Sequence, residues 1–515
     1  MTNLLKLLEE SANNYGSLIA LSEIKNDKYT EISFNELYER SNKVSRKIKS
    51  LGMTEGSNVS LCGENSISWI TAFFGILGSD CTVVPIDIKL NKKSKNFIYE
   101  FSESKIVITN NKDFNSNINK LSFDDLFDSK TSEDININNF NINNLKNEIS
   151  LILFTSGTTG EPKGVMLSHE NIMSNVDAIK EIANTKQSSF SILPLSHVYE
   201  LTCNLLTSIR VGTKVHFCSS LDSKNMFNEL KMIKPNIMPV VPLILDKIKK
   251  NCLKNLSQSK INMLFFKYAP KFFGYLLRKK TGLSNLKFFF CGGAPLNIET
   301  EKFFNLLGLK IIQGYGLSET SPLVSVNPLN KTKLGSVGKV IKTCNVRIDK
   351  NNKETNGKIH VKGPNVFKGY FKNEFSTNQV LKNNELDTGD IGKFDEEGYL
   401  YITGREKFII LGPSGENIYP EQIEELVDQI EFVEESVVFS KDQKRLYVLL
   451  KLYDSTTNKN TEIKASIEKI NRELEVGKRI SKIYIYNEEF PKTSTQKIKR
   501  DFIENIDLEK LELVD

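Results

Sequence analysis

The chain has 515 residues, 39% hydrophobic and 26% charged, which is ordinary for a globular protein and too long for a single small core. Its net charge of +6 is the remainder of 69 basic against 63 acidic residues. No basic domain stands out, so no nucleic-acid partner is expected. Seven scattered cysteines without a C-x-x-C pair, and only four histidines, argue against a disulfide framework or a zinc module. A reduced, cytoplasmic setting is expected.

The opening MTNLLKLLEESANNYG reads as an amphipathic helix, because Glu9 and Glu10 fall where a cleavable signal would be apolar. No run reaches the ~18 uncharged apolar residues of a membrane span. Residues 33–52 carry one apolar helix face closed by Gly52, and residues 57–87 give strand, loop, helix and strand. That is a βαβ unit, which implies a parallel sheet with helices on its faces. Trp69, the only tryptophan, reads as core filler in that helix. Residues 111–148 are rich in Asn, Ser, Asp and Lys, and are expected to form a surface excursion without chemistry.

The stretch ISLILFTSGTTGEPKGVMLSH, residues 149–169, follows. Leu151 to Phe154 predicts a buried strand. Thr155, Ser156, Gly157, Thr158, Thr159 and Gly160 then form a loop of hydroxyls and glycines, with Lys163 just beyond. Glycines let the backbone approach a large anion, and N–H groups with hydroxyls make a concave donor surface for phosphate oxygens. An ordinary Gly/Ser turn is the plain alternative. The spacing is not that of the Walker loop, since Gly164 stands where Ser or Thr should follow the lysine. Ser168 is placed to cap the next helix.

In LPLSHVYE, His197 lies beyond a strand end and before a helix, where open α/β sheets bind ligands. A structural histidine is the commoner outcome for a lone imidazole. Residues 261–282 combine Phe, Tyr and Leu with Lys267, Lys271, Arg278, Lys279 and Lys280. They read either as a segment resting on anionic lipid, at a membrane's inner face, or as a packed helix with a basic outer face. Pro270 and Gly274 interrupt the periodicity and favour the packed helix.

LKFFFCGGAPLN ends a strand in Gly292, Gly293, Ala294 and Pro295, a shelf against which a flat ring such as adenine can lie. KIIQGYGLSET runs from a strand over 309–313 into Gly314, Tyr315 and Gly316, then Ser318, Glu319 and Thr320. Tyr315 can stack on a base. Glu319 offers an oxygen ligand to Mg²⁺, a hard cation that also binds phosphates. Asp390, in a tight Thr-Gly-Asp turn, can accept both ribose hydroxyls.

SGTTGEPKG, LPLSHVYE, CGGAP, YGLSET, LDTGD and ITGREK occur in an order that resembles the adenylate-forming, AMP-binding superfamily, most of all the long-chain fatty acyl-CoA synthetases. The resemblance implies an α/β fold. A large N-terminal domain, 1–405, would hold two doubly wound sheets and a distorted β-barrel, and a small mobile α+β lid domain would span 406–515. It implies ATP, Mg²⁺ and CoA as cofactors, and a fatty or other carboxylic acid as substrate. Thr155 and Glu319 would hold the metal. Thr155, Ser156, Gly157, Thr158, Thr159 and Lys163 would meet the phosphates. Gly293, Ala294, Pro295, Gly314, Tyr315, Gly316 and Thr320 would meet the base, and Asp390 with Arg405 the ribose. His197 would stand beside the carboxylate under activation. Lys497 stands where the family's catalytic lysine stands, although Gln496 replaces the usual glycine. The lid would turn about Lys407, carrying Lys497 away and opening a thiol channel near Gly412 and Gly415. A separate carrier protein in place of CoA, and a non-catalytic nucleotide-binding module, are the alternative readings.

Overall fold

The computed structural model describes residues 3–128, 140, 142, 145–155, 162–182, 187–257, 260–350, 355–412, 417–441, 445–453, 459–492 and 498–514. Ser156, Gly157, Thr158, Thr159 and Lys497 lie outside the described residues, as does most of the suggested thiol channel. The chain divides into two compact units, one of Met1–Val346 with Val361–Leu386 and one of Arg347–His360 with Asp387–Asp515.

The larger unit holds two sheets of the doubly wound kind. One has six strands in the order Lys120–Leu121, Ile106–Ile108, Asn58–Cys62, Thr82–Ile86, Ile149–Thr155 and Lys163–Ser168. Its pairs are parallel except the last, a hairpin in which Thr155 faces Lys163. The strand foreseen over 151–154 therefore extends to Thr155, and Lys163 is itself a strand residue. The other sheet has nine strands. At its centre Lys310–Gly316, Phe288–Cys291, Ile237–Val240, Ser188–Ser191, Lys214–Phe217 and Ile19–Lys25 run parallel in that order. The chain leaves Ser188–Ser191 for the strand on one side, then crosses to the strand on the other. That reversal opens a crevice beyond the carboxyl ends, where ligands bind in open α/β sheets.

Local sequence explains the supporting elements. The first helix, Leu4–Tyr15, buries Leu4, Leu5, Leu7 and Leu8, as its pattern foretold. The helix Phe34–Ser50 begins with a full capping box between Ser33 and Glu36. Ser168 receives the Asn171 N–H at 3.1 Å and returns its own N–H to the Asn171 side chain at 2.8 Å, starting the helix His169–Ile182. Trp69 is 1% exposed and stacks on Phe73 with centroids 5.8 Å apart. The excursion after residue 110 includes a short strand, Lys120–Leu121, and a helix, Phe123–Phe127.

In the smaller unit, residues 390–394 pair antiparallel with Leu400–Arg405. A second sheet of Val433–Phe439, Leu446–Leu452, Ile480–Ile485 and Glu512–Val514 carries the helices Pro420–Val427 and Asn460–Glu473. Their apolar faces share one core around Ile423, Val427, Val448, Ile463 and Ile483. Arg500 donates to the Val438 carbonyl at 3.1 Å and pairs with the Glu424 carboxylate, fastening the C-terminal segment to this layer.

Trp69→Ala should cost about 3–5 kcal/mol, the usual range for truncating a buried large aromatic. The check is the denaturant midpoint of the larger unit's unfolding transition. An unchanged midpoint would mean that the helix Ile67–Gly78 is not part of the cooperative core.

Candidate active site

The nine-stranded sheet sends two glycine segments to the same edge of the crevice. Gly292 follows the strand Phe288–Cys291, and a Cβ placed there would lie 3.3 Å from the Gly314 carbonyl oxygen. Gly293 has φ +87°, a left-handed conformation that favours glycine. Ala294 and Pro295 continue the segment toward the helix Ile298–Leu306. The neighbouring strand runs on through Gly314, Tyr315 and Gly316 instead of ending at residue 313, because Leu323–Val326 pairs against it. A Cβ on Gly316 would stand 1.7 Å from the Pro322 carbonyl oxygen. At both positions the glycine lets main chain approach main chain closely.

Beyond that strand, the turn Ser318–Thr320 presents Glu319. Thr320 is fully buried, and its hydroxyl accepts the Leu317 N–H at 2.9 Å and donates to the Pro322 carbonyl. Its side chain shapes the turn. Glu319 is half-buried, and its Oε1 accepts the Tyr370 hydroxyl at 2.8 Å. Burial pushes the Tyr370 phenol well above its usual range, and the Glu319 charge adds to the shift, so the phenol stays a donor. The Lys163 ammonium lies 5.1 Å from the centre of the Tyr370 ring. Tyr370 also bridges to Val165 on the hairpin strand, while the Phe367 N–H bonds the Glu319 carbonyl at 2.9 Å. Carboxylate, phenol and ammonium are therefore gathered at the base of the loop that leaves Thr155. A half-buried carboxylate held by one oxygen suits a hard cation. Among the described residues no group of three or more His, Cys, Asp or Glu converges on a metal position. A magnesium ion here would take most of its ligands from phosphate and water.

His197 follows Ser188–Ser191 at the crossover point and precedes a π-helix, Tyr199–Leu206. Its side chain is 28% exposed, and Nε2 stands 3.5 Å from Asp87 Oδ2. Burial would raise the Asp87 carboxyl, but the His197 ring and the Lys89 N–H outweigh it and hold the group below its usual range. Asn65 accepts the Leu195 N–H at 2.9 Å and donates to the Leu193 carbonyl at 2.7 Å. Residues beyond the ends of two six-stranded-sheet strands, Asn65 and Asp87, therefore hold the segment that carries His197. The Tyr199 hydroxyl donates to the Phe290 carbonyl at 2.6 Å, setting its ring by Gly292. Next to it, burial pushes the Glu200 carboxyl up to about 7, against hydrogen bonds from Ser191 and Asn204.

In the smaller unit Asp390 faces Arg405 across paired strands, and Arg405 Nε donates to Asp390 Oδ1 at 2.8 Å. The expected tight turn is corrected here. Asp390 sits inside the strand Glu385–Phe394, and Gly389 with φ +67° kinks that strand without ending it. The antiparallel partner strand supplies the hydrogen bonds that keep the segment extended. Lys407 lies in the short 3₁₀ segment Glu406–Phe408, its ammonium 4.2 Å from the Phe408 ring centre. Although the residue is exposed overall, partial desolvation and then the Arg405 and Arg500 guanidiniums bring its ammonium down to about 8, against Asp501 and Glu421.

Two functional candidates escaped the sequence reading. Tyr370 stood in the FKGYF run, where an aromatic after Lys-Gly was the only signal. Asp87 closed the VVPID strand, and a carboxylate just past a parallel strand end was its signal.

The chain is similar to known proteins along most of its length. Residues 8–371 match the AMP-binding enzyme family, and residues 408–506 match the AMP-binding enzyme C-terminal domain. The chain belongs to the AMP-binding enzyme family, with its large N-terminal and small C-terminal domains. Long-chain-fatty-acid--CoA ligase ACSBG2 of Homo sapiens is 30% identical over 87% of this chain and 76% of its own length. A long-chain-fatty-acid--CoA ligase of Bacillus subtilis is 32% identical over 69% of this chain and 61% of its own. Among solved structures, o-succinylbenzoate CoA synthetase (MenE) of Bacillus subtilis, in complex with its acyl-adenylate intermediate, superposes with a TM-score of 0.80 at 22% identity, covering 99% of both chains. The same enzyme has been solved with ATP and magnesium ion.

Tyr370→Phe deletes the hydrogen bond to Glu319 and should weaken Mg²⁺·ATP binding about tenfold, since a bond to a charged group contributes roughly 1.5–3 kcal/mol. Calorimetric titration measures this. Unchanged affinity would show that Tyr370 does not orient the carboxylate.

Proposed function

We propose that this chain activates a medium- or long-chain fatty acid with ATP, forming an acyl-adenylate and pyrophosphate, and then transfers the acyl group to CoA with release of AMP. The observation that carries the reading is Glu319, fixed by Tyr370 at 2.8 Å with the Lys163 ammonium over the same ring. A carboxylate approaching a polyphosphate meets strong repulsion, so preorganised positive charge is what this reaction needs most. Magnesium held by Glu319 and Thr155 would neutralise phosphate charge. Lys163 and the loop of Ser156, Gly157, Thr158 and Thr159 hold the leaving pyrophosphate.

The adenine lies along Gly293, Ala294 and Pro295 and against Gly314, Tyr315 and Gly316, and Asp390 with Arg405 takes the ribose. His197, steadied by Asp87, orients the carboxylate of the acid. Lys497 supplies charge to the carboxylate and the α-phosphate in the first half-reaction only, and Lys407 is the hinge between the two domain states. A domain boundary at 405/406 belongs to the same reading. The fatty-acid assignment is supported by the named relatives and by the LPLSHVYE wording; the MenE likeness supports the fold alone.

A panel of free acids with ATP and CoA tests this directly. Acyl-CoA formation that peaks with aliphatic chains is expected. Product from aryl acids alone, or only with an added carrier protein, would overturn the substrate or the acceptor.

Glu319→Gln should raise the Mg²⁺ requirement for pyrophosphate release while leaving the unfolding midpoint in place. Equal rates at limiting Mg²⁺ would remove the metal role. Lys497→Ala should lower synthesis from free acid by ~10²–10³, the loss typical for one preorganised electrostatic donor. Conversion of a prepared acyl-adenylate to acyl-CoA should stay near wild type. Equal loss in both assays would assign Lys497 to thiol attack or to folding.

A further inference from the structure

The larger unit exposes an apolar surface that the reaction does not use. The stretch foreseen as one interrupted helix is two, Lys260–Tyr268 and Pro270–Thr281, with Pro270 opening the second. Gly274 is buried, and a Cβ there would stand 2.0 Å from the Leu307 carbonyl oxygen, so the glycine allows a close approach. Phe266, Phe273 and Leu277 pack inward on the core beneath the crevice. Their neighbours point the other way. Leu264 is 62% exposed, Tyr268 72%, Phe272 50% and Tyr275 51%, with Phe265 and Leu276 also exposed.

These side chains are contiguous. Phe265 and Phe272 have ring centroids 5.9 Å apart, and Phe272 and Tyr275 6.4 Å. Tyr268 and Phe272 further line a shallow groove with Leu306, Leu334, Lys271 and Lys302. An apolar patch of this kind on a folded protein marks an interaction surface. Its charge is one-sided. No Asp or Glu occurs between Asp246 and Glu299, whereas Lys267, Lys271, Lys279 and Lys280 are all exposed, Lys267 with its ammonium 5.4 Å from the Tyr268 ring centre. Glu299, at the end of that run, is paired with Lys302 at 2.7 Å.

We propose that this two-helix surface docks on an anionic phospholipid bilayer. Leucines and phenylalanines enter the boundary between headgroups and acyl chains, the tyrosines sit at the polar interface, and the lysines meet lipid phosphates. A second copy of this chain fits less well, because self-pairing through the patch would bring the same lysines face to face. The inference stands whether or not the acid activated is a fatty acid.

Flotation of the full chain with vesicles separates the alternatives. Vesicles of equal parts phosphatidylcholine and phosphatidylglycerol should retain the protein at about 0.05 M salt and release it at about 0.5 M, where the Debye length shrinks to a few ångströms. Pure phosphatidylcholine vesicles should retain far less. Lys279→Gln with Lys280→Gln should weaken binding about thirtyfold, and Leu264→Ser with Phe272→Ser should abolish it. Because all four side chains are exposed, the thermal midpoint of each variant should match wild type. No retention at low salt, or retention that ignores both pairs of substitutions, would overturn the proposal. A concentration-dependent dimer in sedimentation velocity, lost in the Leu264→Ser, Phe272→Ser variant, would overturn it in favour of a second copy.

Discussion

The hydrogen bond from the Tyr370 hydroxyl to the Glu319 carboxylate is the contact on which the rest of the larger unit's candidate site depends. It joins elements far apart in the chain: the turn after the strand Lys310–Gly316, and the segment that bridges to the hairpin strand Lys163–Ser168. A buried phenol that keeps its proton can only donate to a carboxylate, and a carboxylate fixed by one oxygen has the other to offer. Lys163, over the ring of the same tyrosine, brings its charge to that place without an ion pair to Glu319. Positive and negative groups are thus kept near each other but not neutralised by direct contact, the condition in which both can serve a polyphosphate.

Around this contact the chain uses backbone where a side chain would be in the way. Gly316 under the Pro322 carbonyl lets main-chain surfaces meet at a distance no Cβ would permit, and a Cβ on Gly292 would sit tightly, 3.3 Å from the Gly314 carbonyl oxygen. Polar side chains are spent on holding that main chain in place. Asn175 accepts the Leu323 N–H at 2.6 Å and donates to the Thr320 carbonyl at 3.1 Å, so one buried amide fixes both sides of the turn bearing Glu319. Asn365 adds bonds to the Thr320 and Leu323 carbonyls.

Exposure separates two histidine clusters that look alike on paper. Ser22, His216 and Glu229 form a chain of contacts, each 3.0 Å, that has the donor order of a nucleophile triad. All three side chains are buried within the parallel sheet and its covering helix, so no substrate reaches them; the network satisfies polar groups in a core. His197 with Asp87 has a longer contact, and there the imidazole is 28% exposed while the carboxylate is buried. Accessibility, not hydrogen-bond pattern, separates the two clusters.

Much of this was legible in the sequence because it depends on local order. Apolar strands followed by glycines, Ser168 before a helix, the capping of Phe34–Ser50 and the six motifs in sequence are short-range facts. They determined the α/β class, the AMP-binding family and most candidate residues. What the sequence by itself did not hold were relations between distant segments. That Asp390 lies within a strand depends on Leu400–Arg405 pairing beside it. That Asp87 and Asn65 secure the His197 segment depends on two sheets meeting, and that Tyr370 holds Glu319 depends on a hairpin and a turn converging. The lysine-rich stretch after residue 260 shows the division most plainly. Its composition allowed either a lipid-facing or a packed helix; only packing decided that Phe266, Phe273 and Leu277 turn inward while Leu264, Tyr268 and Phe272 remain outside, because a helix face is buried or exposed by what the rest of the fold places against it.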